Sequence, residues 1–238
     1  MILREGEELE VLVDDIKIIQ HMNRYKFSVD SVLLADFIKA FPGEKIVDLG
    51  TGAGVLPLMI TAKISGLKIV GVEIQEDLAD MAGRSVRYNK KSENVFILKE
   101  DLNDAPDILG NDWDVVISNP PYFTIDEGRI NPNIFLAIAR HEIKCTLEQV
   151  ICTAEKLLKA EGRFYMVHRY QRMEEIVNLC CLCGLYPAEL QPVASSADKE
   201  PYLILIECIK SSACKLKKKP VKILADCTKV SERDFAYE

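Results

Sequence analysis

Two stretches of the chain hold residue types whose spacing could do chemistry. In the first, Val47-Asp48-Leu49-Gly50-Thr51-Gly52-Ala53-Gly54, three glycines stand at alternate positions behind an acid. Glycines so placed let a chain turn sharply with positive φ and bring its backbone close to a ligand. The spacing is one residue shorter than the GxGxxG that seats a pyrophosphate at a helix N-terminus, so a dinucleotide is not the best fit. Asp48 points the same way, because an acid at the mouth of the turn repels a phosphate and attracts an ammonium group. Further on, Glu73 ends the run Ile69-Val70-Gly71-Val72-Glu73, where a carboxylate can accept from both hydroxyls of a ribose. Asp101 closes another apolar run, placed to accept from an exocyclic adenine amine with Leu102 against the ring. Helix N-capping is its competing role.

The second stretch is Ser118-Asn119-Pro120-Pro121-Tyr122-Phe123. Two prolines end a strand and hold the following backbone extended. That fixes the Asn119 side chain and the Pro120 carbonyl as two acceptors beside the flat face of Tyr122. A planar amine or amide, whose two N–H hydrogens need two acceptors, suits this arrangement.

These residues need elements to position them. Short β-rich runs at Lys45–Leu49, Lys68–Glu73, Val95–Lys99, Asp114–Ser118 and Arg163–His168 alternate with helical stretches at Gly54–Ser65, Asp77–Lys91 and Thr146–Ala160. The alternation predicts an α/β fold with a parallel sheet covered on both faces. A helix over Gln171–Cys183 follows, then extended runs at Tyr186–Val193 and Tyr202–Ile209. The loop between those two is too short for a parallel crossover, so they pair antiparallel. Ahead of the sheet, Leu9–Val13 and Ile16–Gln20 read as a hairpin, and Ser28-Val29-Asp30-Ser31 opens a helix over Val32–Phe41. The division expected is an extended leader over 1–27, a main domain over 28–210 and a poorly packed basic extension over 211–238.

Composition narrows the function classes. At 238 residues, 48% hydrophobic and 28% charged, the chain can bury a full core without staples. No apolar run approaches the ~20 residues that span a bilayer, and the acidic N-terminus lacks the pattern of a signal peptide, so a cytoplasmic protein with no membrane partner is expected. The eight cysteines are then expected to be reduced thiols, mostly buried. Cys180 and Cys183 form a lone CxxC, and no metal is expected. The net charge of −7 disfavours broad adhesion to nucleic acid, yet Lys210–Lys222 carries six lysines and no acid. That run is a candidate phosphate contact or a solvated tail. Arg140, Arg163, Arg169 and Arg172 with Lys26 are candidates to ring the cleft, with ordinary surface charge as the competing role.

Taken in order, Asp48-x-Gly50-x-Gly52-x-Gly54, Glu73, Asp101 and Asn119-Pro-Pro-Tyr122 resemble the S-adenosylmethionine-dependent methyltransferases that methylate amino groups, over about residues 25–210. More narrowly, Arg24-Tyr-Lys-Phe27-Ser-Val-Asp30-Ser-Val-Leu-Leu-Ala-Asp36-Phe, Ser118–Phe123 and Arg140-His141-Glu142 resemble the bacterial adenine-N6 methyltransferases that modify a valine tRNA beside its anticodon. The resemblance implies a Rossmann-like class I fold, a seven-stranded mostly parallel sheet with an antiparallel last strand. It implies S-adenosyl-L-methionine held by Asp48, Gly50, Thr51, Gly52, Gly54, Glu73, Ile74, Asp101, Leu102 and Asn119. It makes Asn119, Pro120, Pro121 and Tyr122 catalytic, assigns Tyr122, Phe123, Asp30 and Arg140 to substrate binding, and makes tRNA the partner. An N5-glutamine methyltransferase of release factors and a ribosomal-RNA guanine-N2 methyltransferase are alternatives with the same amine chemistry. The former carries a larger helical region before the glycine turn than the 47 residues found here. A non-catalytic module that kept the fold is a further reading, against which the intact Asn119–Tyr122 speaks.

Overall fold

The fold is that of a computed structural model, which describes residues 3–13, 15–22, 27–124, 137, 141–210 and 215–224. It opens with an antiparallel hairpin, β1 (Glu7–Val13) and β2 (Ile16–His21), followed by α1 (Val29–Phe37). The central sheet is built from β3 (Lys45–Leu49), β4 (Lys68–Glu73), β5 (Val95–Lys99), β6 (Trp113–Ser118), β7 (Leu158–Arg169), β8 (Leu185–Ala194) and β9 (Leu203–Lys210). Its order is β5-β4-β3-β6-β7-β9-β8, with β9 alone antiparallel to its neighbours. The reversed last strand expected from the sequence is therefore present. The order reverses between β3 and β6, and an open sheet binds its ligand in the crevice beyond the strand ends at such a point.

The helices are α2 (Val55–Lys63), α3 (Glu76–Tyr88), α4 (Ala105–Leu109), α5 (Leu147–Leu157) and α6 (Met173–Leu182). Strand residues alternate between two cores, as a strand's period of two requires. Ile46, Val115, Ile117, Tyr165, Val167 and Leu205 pack with α1 and α2; Val47, Val116, Phe164, Met166, Ile204 and Ile206 pack with α5 and α6. Each is at most 1% exposed. Burying an aliphatic or aromatic side chain of this size stabilises by about 1.5–3 kcal/mol, and burial on both faces makes these strands nearly continuous apolar runs.

Three elements depart from the sequence expectation. The helix α1 starts earlier and ends sooner than the expected Val32–Phe41. Ile38 turns extended, its N–H still bonded to the Leu34 carbonyl, as the chain approaches Pro42. α5 opens on a Thr146–Gln149 capping box but stops at Leu157, because Leu158 already pairs with Trp113 and Glu161 takes a left-handed φ of 61° ahead of Gly162. The basic extension is not poorly packed throughout. Lys217–Lys218 (β10) and Lys222–Ile223 (β11) add to the edge of β8, and Leu224 is 2% exposed. An unpaired edge strand is left with open N–H and C=O groups, and this segment covers part of that edge.

The leader also does more than precede the domain. Its hairpin docks on α3, where the Ile19 N–H donates to the Ser85 hydroxyl at 2.9 Å and Asn89 bonds both the N–H and the carbonyl of Lys17. Arg84 of α3 grips the Glu7 carboxylate. Cys152 of α5 and Cys183 after α6 are disulfide-bonded, a correction to the expectation of reduced thiols; α5 and α6 lie side by side and bring their Cα atoms to 5.5 Å. Cys180 and Cys208 are buried, while Cys214 and Cys227 lie outside the described residues. Among the described residues, no helix is long and apolar enough to cross a membrane.

Candidate active site

The cleft at the strand ends is lined by Asp48, Gly50, Thr51, Gly52, Glu73, Ile74, Asp101, Leu102, Asn119, Pro120 and Pro121, all singled out from the sequence. The glycine turn joins β3 to α2. Gly50, Gly52 and Gly54 have φ of 74°, 57° and 87°, left-handed values that L side chains rarely adopt. Gly50 and Thr51 donate their N–H groups to the Val72 carbonyl, at 2.9 and 3.0 Å, which ties the turn to β4. Gly54 itself faces α3: a Cβ there would lie 3.2 Å from that of Ala82, so this glycine serves helix packing and is not part of the cleft wall.

Asp48 is 1% exposed, and neither of its carboxylate oxygens has a hydrogen-bond partner. Burial pushes its pKa up to about 7, the neighbouring Thr51 hydroxyl opposes the rise, and the Glu73 carboxylate adds to it. An ionised carboxylate buried without a partner is costly, so Asp48 is built to meet a cation that the chain itself does not supply. Glu73 is held differently: Gly52 N–H donates to its Oε2 and Gln75 N–H to its Oε1, both at 2.9 Å. Burial raises its pKa too, with these two bonds opposing. Each oxygen has a second lone pair, so the carboxylate can still accept from a diol. Asp101 does not cap a helix. Its Oδ1 accepts from the backbone and side-chain N–H of Asn103, and α4 starts after Asp104.

The Asn-Pro-Pro-Tyr segment leaves β6 and is bracketed from two sides. From α1, Ser31 Oγ accepts from Asn119 Nδ2 at 3.0 Å, and Asp30 Oδ2 accepts from the Tyr122 hydroxyl at 2.8 Å. The same hydroxyl lies 3.0 Å from Asn119 Oδ1. Neither Asp30, which is 1% exposed, nor Tyr122 lines the cleft; Asp30 reaches Asn119, which does, through the Tyr122 hydroxyl. Burial raises its pKa, while the Tyr122 bond lowers it.

From the end of β7, the His168 ring lies 4.9 Å from that of Tyr122. His168 Nδ1 accepts the Arg169 N–H, so the neutral ring carries its hydrogen on Nε2. Burial and the nearby Arg172 hold its pKa down to about 3, which keeps it uncharged. Arg172 is spent on Glu142 and Glu175, and Arg163 on Glu44 and the Lys39 carbonyl, so neither is available to ring a cleft. Arg169 lies over the Phe123 ring at 4.8 Å, with His141 tilted against the same ring. Arg140 and Lys26 lie outside the described residues.

Sequence reasoning missed several wall residues: Gln20 and Phe27 from the leader, Glu100, and Lys144 and Cys145 before α5. Gln20 is 2% exposed, accepting the Phe27 N–H and donating to Glu10. A buried polar residue in an otherwise apolar strand segment was its one signal. Burial pushes the Cys145 thiol up to about 12, so it is no nucleophile. The wall thus carries four carboxylates against the single cation of Lys144, an environment for a positively charged ligand. Among the described residues, no group of three His, Cys, Asp or Glu side chains could hold a metal ion.

Residues 24–180 match the family model described as the methyltransferase small domain. A tRNA1(Val) (adenine(37)-N6)-methyltransferase of Porphyromonas gingivalis is 29% identical over 189 residues, covering 76% of this chain and 73% of that protein. Proteins of the same name from Tolumonas auensis and Bacteroides thetaiotaomicron are 27% and 32% identical, covering 76% and 60% of this chain and 75% and 59% of theirs. Among solved structures, a predicted O-methyltransferase from Agrobacterium tumefaciens superposes with a TM-score of 0.64 at 21% identity, over 82% of this chain and 86% of that one. A 16S rRNA N2 methyltransferase from T. thermophilus, solved with AdoMet and guanosine, does so at 0.61 and 17%, over 86% of this chain and half of the other.

Proposed function

The chain belongs to the methyltransferase small domain family, and from that premise we propose that it methylates N6 of an adenine in tRNA, beside the anticodon, with S-adenosyl-L-methionine as donor. The observation that carries the donor is Asp48, a buried carboxylate with both oxygens unpartnered in a cleft rich in acid. A zwitterionic amino acid joined to a sulfonium is a cation of the required kind. Asp48 takes the ammonium of its amino-acid end, Glu73 its ribose hydroxyls, and Asp101 with Ile74 and Leu102 its adenine, while the glycine turn brings the backbone close without a side chain in the way. When bound, the donor supplies an electrophilic methyl group on positively charged sulfur.

The protein's own part is alignment. Adenine N6 is a weak nucleophile because its lone pair is delocalised into the ring. Asn119 Oδ1 and the Pro120 carbonyl accept the two N6 hydrogens, which draws the nitrogen toward tetrahedral geometry and aims its lone pair at the methyl carbon. Pro121 holds that backbone extended, and Tyr122 stacks on the extruded base, a contact worth about 1–3 kcal/mol. Phe123, under Arg169, continues the aromatic surface. As the N–C bond forms and the C–S bond breaks, the nitrogen becomes cationic and its N–H acidic, so the proton leaves to water without a dedicated base. Most of the acceleration then comes from holding the two reactants in line.

The tRNA substrate draws its support from the names of the relatives. The test separates donor from chemistry. Asn119→Ala is expected to bind donor with an affinity within about twofold of wild type, measured by calorimetry, and to lose methyl transfer to tRNA by at least about a hundredfold. Loss of donor binding instead contradicts the role given to Asn119.

A further inference from the structure

The Tyr122 hydroxyl stands between two acceptors, Asp30 Oδ2 at 2.8 Å and Asn119 Oδ1 at 3.0 Å. A phenol has one hydrogen, so it fully serves only one of them. The choice matters, because on the reading above Asn119 Oδ1 must accept from the substrate amine. If the Tyr122 hydrogen occupies that oxygen, the two donors compete.

The surroundings favour Asp30. It is the second residue of α1, inside the first turn, where the helix field favours a negative charge. Burial works against its charge while the Tyr122 and Ser28 hydrogen bonds work for it; as a carboxylate it is a stronger acceptor than an amide, and it is the nearer of the two. The neighbouring Ser31 holds the other end of the Asn119 amide through Nδ2, so the amide cannot turn its oxygen away without losing that bond. The first turn of α1 therefore grips both working side chains of a segment almost ninety residues away.

We propose that Asp30 is a positioning residue: its carboxylate takes the Tyr122 hydrogen and so leaves Asn119 Oδ1 open to the substrate amine. This rests on the amine-methylating reading of the site and gives a buried acid outside the cleft a defined part in it. The Tyr122 hydroxyl is a hazard that Asp30 neutralises, while the ring does the stacking.

The consequence is an inversion that a merely structural acid would not produce. Asp30→Ala removes the nearer acceptor and turns the Tyr122 hydrogen toward Asn119 Oδ1, and kcat falls about tenfold, the effect of one competing hydrogen bond. Removing the hydroxyl as well, in Asp30→Ala with Tyr122→Phe, restores kcat to within about twofold of Tyr122→Phe alone. Donor affinity stays constant throughout. The side-chain amide signal of Asn119 in a 15N spectrum, identified by its loss in Asn119→Ala, shifts in Asp30→Ala and returns in the double variant. Asp30→Leu, close in volume and unable to accept a hydrogen bond, repeats the pattern if Asp30→Ala does not fold. A double variant no faster than Asp30→Ala, or an Asn119 signal that Asp30 does not move, overturns the proposal. The amide signal is read without RNA, so a wild type inactive on tRNA would refute the proposed substrate and leave this inference to be decided by the spectrum.

Discussion

A carboxylate sealed from water with no cation beside it is a group waiting for a charge, and Asp48 makes that quantitative. With a pKa near 7 in the free protein, it is mostly protonated below that pH and must lose the proton to meet a cation. Donor affinity is therefore expected to fall by up to about tenfold per pH unit below 7 and to level off above about pH 8. Asp48→Asn should bind the donor weakly at every pH and flatten the profile; calorimetry from pH 5.5 to 8.5 measures both. The same shift affects the empty protein. A carboxyl whose pKa is higher folded than unfolded favours folding at low pH, and that contribution is lost as pH rises from about 4 to about 7. Thermal melts of the wild type should lose more stability over that window than melts of Asp48→Asn, and added donor should recover the difference at pH 8. Part of the wall was legible at this scale, because an acid, a glycine turn and an Asn-Pro-Pro-Tyr run each announce a ligand by local chemistry. Cys145 and Lys144 were not, since nothing beside them in the chain marks them, and only the packing of α5 brings them to the cleft.

The elements explain why the turn can be so tight. Gly71 in β4 carries no side chain, and Thr51 fills the space: a Cβ at Gly71 would lie 2.7–2.9 Å from three atoms of the Thr51 side chain. Gly71→Ala should therefore push the turn out of place, lowering donor affinity more than stability, whereas Gly83→Ala, facing only the flexible end of Arg87, should change neither measurably. The hairpin offers a second test. Ser85→Ala leaves the buried Ile19 N–H without its acceptor, a loss of about 1–3 kcal/mol in a denaturant melt. Because Gln20 lines the cleft, donor binding should weaken with it. Strand order and the reversed β9 followed from periodicity and a short loop. The docking of the hairpin and the Cys152–Cys183 bond did not, because both depend on which helix faces meet across long sequence separations, and periodicity says only that a face is apolar.

Over the whole molecule, an acidic body bears a basic edge. The structure divides the six lysines of Lys210–Lys222. Lys210 is bound to the Glu155 and Leu158 carbonyls, and Lys219 pairs with Glu189, so both serve the fold. Lys215, Lys217 and Lys218 are exposed, with Lys222 half-buried beside them. Replacing these four by glutamine should reduce the slope of log affinity for tRNA against log salt by up to about 3 if all of them meet phosphates. An unchanged slope would make the edge a solubilising surface only. One assay addresses the reaction directly. The purified protein is given S-adenosyl-L-methionine and an unmodified valine tRNA transcript, and the nucleosides are separated by mass spectrometry. N6-methyladenosine formed by the wild type, absent with Asn119→Ala and absent when guanine replaces adenine 37, is the predicted result. Normal donor binding with no methylated adenosine in any tRNA would contradict it.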